Sequence, residues 1–295
     1  MEEFERNEVE IWPAAAWSMS RRKQFAYCPE AYFLHYGARG WIDFWDARAQ
    51  RQLECLKQLK SIALWLDAVW SEIFFEYCYH CHTGGSQAAL ESDLRSIAQR
   101  KLSYLRFSLQ GRCWEQDPKR PNIAEFYYGE MALEEVMGRC TDLLNAKIDV
   151  FLASNLCRRI LSMSGSAFKV IAEPAHVALD GVKIYCRISA AFYERTGKLN
   201  LLLRSDSPEN DHLRSVVGKY IGWQYFMLLP EKVSCLFYRQ SDGADYILSD
   251  EELNIARSVK QIEAESLEFL QSLQPHEIKI GEKCCNCRFK GYCGA

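Results

Sequence analysis

The sequence predicts an α/β fold: a central mixed sheet flanked by helices, with a large helical part before it and a cysteine-bearing tail after it. Three observations carry this reading. Apolar residues recur at helical spacing through most of the first 165 residues, and after Ser166 the spacing turns to the strict alternation of strands separated by glycine turns. The chain then closes on Cys284, Cys287 and Cys293 in a C-x2-C-x5-C pattern. At 295 residues, 48% hydrophobic and 25% charged, the chain suits one domain with a helical elaboration. Its parts are a helical region 1–165, a sheet core 166–250, and a final helix with the tail 251–295.

The elements follow in order. Ser18 and Ser20 are cap residues for a helix through Tyr36 that carries Arg21, Arg22 and Lys23 in its first turns, with a bend at Pro29. Leu53, Leu56, Ile62, Leu66, Val69 and Ile73 predict one long helix from about Asp46 to Tyr77. Further helices are expected over Gln87–Leu109 and Met131–Leu152. Between them, Asp117 to Asn122 holds two prolines in six residues and reads as a surface break. Phe168–Leu179 reads as a strand, Asp180-Gly181 as a hairpin turn, and Val182, Ile184, Cys186, Ile188 and Ala190 as the buried face of the returning strand. After a turn at Thr196-Gly197, Leu199–Leu203 is apolar enough to be central in the sheet. A helix over Asp211–Leu228, strands over Val233–Arg239 and Tyr246–Leu248, and a last helix from a Ser249 cap to Pro275 complete the expectation.

Charge and composition exclude several function classes. The net charge is −3, so no global basic field points to nucleic acid, and any such surface must be local. No apolar run reaches bilayer length and the N-terminus lacks a signal pattern, so a cytoplasmic protein without membrane contact is expected. Phosphate-cradling and dinucleotide glycine motifs are absent, which argues against a nucleotide-driven motor.

The thirteen cysteines suit a reducing compartment, where C-x2-C spacing usually means metal. Cys284, Cys287 and Cys293 supply three corners of a metal site, and Cys28, in Tyr27-Cys28-Pro29, is the best fourth. Such a centre would staple the two ends of the fold, worth roughly 5 kcal/mol in the chain-entropy description of a crosslink. Zinc is an alternative metal. Cys78-Tyr79-His80-Cys81-His82 is a second, weaker metal candidate, while His35, His176, His212 and His276 have no local partners and read as structural.

The order of elements, with Trp17-Ser18-Met19-Ser20 and Phe25-Ala26-Tyr27-Cys28-Pro29 at one end and the cysteine tail at the other, resembles the PD-(D/E)XK nuclease superfamily. The closest likeness is to its RecB-type branch with an iron-sulfur cluster, which includes AddB and the CRISPR-adaptation exonucleases. The likeness covers both ends and the central sheet, not residues 80–165. It implies that Cys28, Cys284, Cys287 and Cys293 hold a [4Fe-4S] cluster. It also implies a Mg²⁺ site of hard oxygen ligands with a lysine beside it. Here the sequence departs from the pattern: Trp70 stands at the histidine position, Ser189 at the aspartate, and Leu202 and Arg204 on the D/E-x-K strand, or Leu203 and Ser205 one register along. Glu173 matches an additional glutamate found in some members. The resemblance therefore implies the fold without the chemistry.

The expected function is a catalytically degenerate protein that binds single-stranded DNA or RNA, or serves as an architectural subunit, within a larger DNA-processing or defence complex. An active Mg²⁺- or Mn²⁺-dependent nuclease with rearranged ligands, drawing on Glu173, Glu194, Asp206, Glu209 and Lys198, is the alternative. A pure protein-interaction module is a third. For nucleic acid, Arg21, Arg22 and Lys23 near Cys28, with Lys279, Lys283, Arg288 and Lys290 in the tail, form a candidate phosphate-binding patch. Tyr27, Tyr32, Phe289 and Tyr292 offer stacking surfaces for bases, or else form a packed aromatic cluster under a solvated basic rim.

Overall fold

The computed structural model describes residues 16–37, 46–82, 87–163, 168–171, 173–179, 181–194, 196–205, 207–250, 253–273, 284 and 287–293. A short strand, β1 (Ala16–Ser18), runs into α1 (Met19–Tyr27), and the Ser18 hydroxyl caps the helix by accepting the Arg21 amide at 3.2 Å. The single helix expected through Tyr36 is two. Cys28 is extended (φ −163°, ψ 115°) and becomes the N-cap of α2 (Pro29–Tyr36), where Pro29 occupies the first helical position and its missing amide goes unneeded. The break turns a cysteine that a continuous helix would have fixed on its wall into a corner residue.

The stretch expected as one helix from Asp46 to Tyr77 is also two, α3 (Ala47–Gln58) and α4 (Ile62–His82). Leu53, Leu56, Leu59 and Ile62 keep a three-residue interval across the break, so apolar spacing hides it. Lys60 instead bridges Ile123 in parallel. α5 (Gln87–Gln110) and α7 (Leu133–Ala153) match expectation, and between them lie the proline-rich break and an unforeseen short helix, α6 (Ala124–Tyr127). A second unforeseen helix, α8 (Asn155–Leu161), is capped by Ser154, which accepts the Cys157 amide at 3.1 Å.

The sheet region holds β2 (Phe168–Val170), β3 (Ala175–Leu179), β4 (Val182–Cys186), β5 (Ala190–Tyr193), β6 (Leu199–Arg204), α9 (Pro208–Phe226), β7 (Val233–Tyr238) and β8 (Asp245–Ile247). These form a three-stranded sheet, β1-β4-β3, and a five-stranded sheet, β2-β5-β6-β7-β8. The two long strands expected on either side of Gly181 are each broken, at Glu173-Pro174 and at Arg187–Ser189, so the hairpin ribbon passes from one sheet to the other. Pro174 has no amide to donate to a ladder, which accounts for the first break. Gly181 (φ +81°) and Gly197 (φ +78°) supply the left-handed conformation that their turns require. As expected, β6 is central, paired with β5 antiparallel and with β7 in parallel from Leu199↔Val233 to Arg204↔Tyr238.

Helices cover both faces of the larger sheet. On one, Leu202, Leu236 and Tyr238 pack with Trp70, Phe74 and Phe151 of α4 and α7. On the other, Leu201, Leu203 and Phe237 pack with Val217 and Ile221 of α9 and Phe269 of α10 (Ile255–Gln271). Gly222 lets α9 lie close on the sheet: a Cβ there would stand 2.4 Å from Val233 Cγ2. Asn254, not Ser249, caps α10, accepting the Arg257 amide at 3.0 Å. Pro275 lies outside the described residues. The tail ends in α11 (Lys290–Cys293). Among the described residues no helix is long and apolar enough to cross a membrane.

Candidate functional site

The four cysteines singled out by the sequence meet at one corner. Cys28 ends α1, Cys284 and Cys287 lie before α11, and Cys293 is its last residue. Cys28, Cys287 and Cys293 share an apolar cluster with fully buried Phe289 and with Leu34, Leu53, Leu56 and Leu59. Cys284 is tied in by its carbonyl, which accepts the Cys287 amide at 3.0 Å. None of the four is in a disulfide. Burial pushes Cys293 up to about 11, and Cys287, Cys284 and Cys28 add to the rise, so the sulfurs lie within electrostatic reach of one another. Burial also raises Cys28 and Cys287, against backbone amides that donate to each sulfur at 3.4 Å, from Ala31 and Phe289 respectively. Those amides would equally stabilise a thiolate. Among the described residues, no three His, Cys, Asp or Glu side chains stand close enough to hold a single metal ion. Four thiols are the donor number a [4Fe-4S] cluster takes, and a cluster spaces its ligands more widely than one ion does.

Protein contacts hold the tail as well. Arg288 donates to the Lys57 carbonyl at 3.2 Å and to Nδ1 of His35 at 3.2 Å, and lies over the Phe289 ring. Tyr128 donates its hydroxyl to the Arg288 carbonyl at 2.6 Å. His35 is half-buried, and desolvation followed by the nearby Arg288, Lys57 and Arg21 charges pushes its pKa down to about 3, leaving a neutral acceptor. The basic residues proposed for nucleic acid are largely engaged in this packing. Arg21 lies 4.3 Å over the Tyr36 ring, Arg22 pairs with Glu265 at 2.8 Å and Glu209 at 2.7 Å, and Lys290 pairs with Glu130. Lys23 is exposed; Lys279 and Lys283 lie outside the described residues. Tyr32 and Phe289 are fully buried, so they are packing residues and offer no face to a base, whereas Tyr27 is exposed.

The positions matched to the nuclease ligands also converge. Trp70, Ser189 and Arg204 line one cavity of ≈ 20 Å³, together with Ser71, Phe74, Leu203, Tyr238 and Gln240. Leu202 lies on the same face of β6 as Arg204, buried against the α4 side. No carboxylate is among the lining residues, and Trp70, buried against Phe74 and Phe151, fills space beside the wall. Asp67, one turn before Trp70, meets Arg204 at 3.3 Å and Lys147 at 3.5 Å. Sequence reasoning missed Asp67 and Lys147, although Asp67 stands one helical turn from the residue it singled out.

The other candidates are dispersed. Glu173 is exposed in the break between β2 and β3 and does not line the cavity. Glu194 pairs with Arg159 and accepts from Asn200, and Glu209 pairs with Arg22. Asp206 lies outside the described residues. Cys78 points into the core of α4, away from solvent.

No protein-family model matches the chain, and no curated protein matches it. Among solved structures, the crystal structure of SSO0001 is similar over 65% of this chain and 84% of its own, at 15% identity and a TM-score of 0.25. What is plain is a mixed α/β protein with two mixed sheets.

Proposed function

We propose that this chain is a catalytically degenerate iron-sulfur protein of PD-(D/E)XK type, serving as a nucleic-acid-binding or architectural subunit of a larger complex that processes DNA or defends a genome. The observation that carries the reading is the cavity: the positions matched to the ligand set come together, yet its wall offers an indole, hydroxyls and a guanidinium where a dication needs carboxylate oxygens. The cysteine corner supports a [4Fe-4S] cluster held by Cys28, Cys284, Cys287 and Cys293. Bound there, the cluster would join α1 and α2 to the tail, and the surrounding amides and Phe289 would fix the ligand positions. At the end of α9, Trp223, Tyr225, Met227 and Leu229 are exposed together, and Met227 is 83% accessible. Such an apolar group suits a partner protein.

The test uses anaerobically purified protein with iron and sulfide measured. Single- and double-stranded DNA and RNA are assayed for cleavage with Mn²⁺, and for binding as salt is raised, with Glu173→Ala as control. Salt-sensitive strand binding without cleavage supports the proposal. Cleavage abolished by Glu173→Ala would replace it with an active nuclease of rearranged ligands. Neither property, with a stable protein partner, would leave an interaction module; zinc in place of iron would remove the cluster.

A further inference from the structure

The basic patch near the cysteines is largely committed to internal pairs, so a strand's phosphates need another seat. Resting on the nucleic-acid reading above, we propose that Asp67, Lys147 and Arg204 form a counter-ion latch beside the cavity that Arg204 and Gln240 line, and that a phosphate group displaces the Asp67 carboxylate to bind Arg204 and Lys147.

Charge gives the sign of the ligand. Arg204 Nη2 meets Asp67 Oδ2 at 3.3 Å and Lys147 Nζ meets Asp67 Oδ1 at 3.5 Å, and among the described residues no other carboxylate lies within ion-pair distance of either cation. Two cations share one carboxylate, which leaves one positive charge uncompensated. Both separations exceed the ~2.7–2.9 Å of a strong charge-assisted hydrogen bond, and all three groups are partly exposed, so the pairing exchanges readily. A divalent cation is disfavoured there, because the one carboxylate already faces two positive groups.

Size gives the class. The cavity beside Arg204, ≈ 20 Å³, admits about one water, so a phosphate oxygen can reach into it while a base or sugar cannot. Position is set by three separate elements: Arg204 ends β6, Lys147 lies on α7 with Nζ fixed 2.9 Å from Gln240 Oε1, and Asp67 lies on α4. The planar guanidinium suits bidentate phosphate contact, and the ammonium adds a second point of charge. Ser189, on the same wall, adds a hydroxyl donor.

Fluorescence anisotropy with a labelled single-stranded oligonucleotide, on the iron-loaded full chain, tests the latch. Asp67→Asn removes the competing carboxylate and tightens binding about tenfold, whereas Arg204→Gln and Lys147→Gln weaken it about tenfold and lower the salt slope by roughly one phosphate contact each. Arg100→Gln, at an exposed pair on α5, leaves binding unchanged. Thermal melts confirm folding, and Lys147→Gln carries the test if Arg204→Gln fails to fold. Wild-type strand binding that none of these variants alters would overturn the latch and leave the nucleic-acid reading standing. If the wild type binds no strand, that reading falls, and stabilisation by inorganic phosphate then decides the site. Stabilisation lost in Lys147→Gln keeps it as a pocket for free phosphate; no stabilisation overturns it.

Discussion

The cysteine corner and the cavity over Trp70 were both assembled from residues far apart in sequence, yet they treat their chemistry in opposite ways. At the corner four sulfurs gather, with Phe289, Arg288 and Tyr128 packed around them. At the cavity no carboxylate lines the wall, and the buried indole of Trp70 packs against Phe151. The contrast is one of materials: the tail is held by an apolar, thiol-bearing cluster braced by hydrogen bonds, whereas α4 and α7 lie on the sheet through aromatic packing and the ion pairs of Asp67.

The sharpest way to break this comparison is to damage each region equally. Phe289→Ala and Trp70→Ala each remove a fully buried aromatic ring and should cost about 3–5 kcal/mol in chemical denaturation. With the cluster proposed above in place, only Phe289→Ala should also lower the iron content, by loosening Cys287 and Cys293. Equal iron loss in both would mean the corner and the cavity are one unit.

A pH titration sharpens the corner alone. His35 is held neutral with its pKa down at about 3, against 6.5 for an ordinary histidine. The unfolded chain therefore takes up a proton that the native state refuses. His35 has its full stability above about pH 6.5 and loses it as pH falls toward 3, by a few kcal/mol. His35→Gln should flatten that part of the stability profile relative to wild type, measured by denaturation midpoints between pH 7 and 4. An unchanged profile would mean that His35 is not held neutral by its surroundings.

Smaller effects mark the limits of each region. Gly222→Ala drives a methyl into Val233 under α9 and should cost about 1–3 kcal/mol in melting experiments, with iron content and strand binding unaltered. Glu130→Gln removes a partly exposed partner of Lys290 and should cost under about 1 kcal/mol, because Tyr128 and Arg288 still hold the tail.

Much of this was legible in the sequence. The alternation from Val182 to Ala190 and the continuous apolar run of Leu199–Leu203 placed the sheet and its central strand, since both reflect burial of a strand's faces. The cysteines declared themselves by spacing. The places that escaped are those where tertiary contacts override periodicity. The helix break at Leu59–Ser61 keeps apolar spacing while Lys60 bridges Ile123, and β1 is three residues long, too short to alternate visibly. Asp67 and Lys147 stand 80 residues apart, and only the packing of α4 against α7 makes them neighbours of Arg204. The engagement of Arg22 and Arg288 was likewise hidden, because Glu265 and His35 lie more than 240 residues away from them in the chain.

The corner also sets a clock. Cys28 and Leu34 are synthesised early, but Cys284, Cys287 and Phe289 follow some 250 residues later. At about 5–20 residues per second, roughly ten to fifty seconds separate the two halves of this site on the ribosome. Throughout that interval the apolar face of α2 has no tail to cover it, and Cys28 faces oxidants without its partners. Assembly of this region therefore waits for the tail, and a nascent chain stalled before it would carry an open thiol beside an uncovered apolar surface.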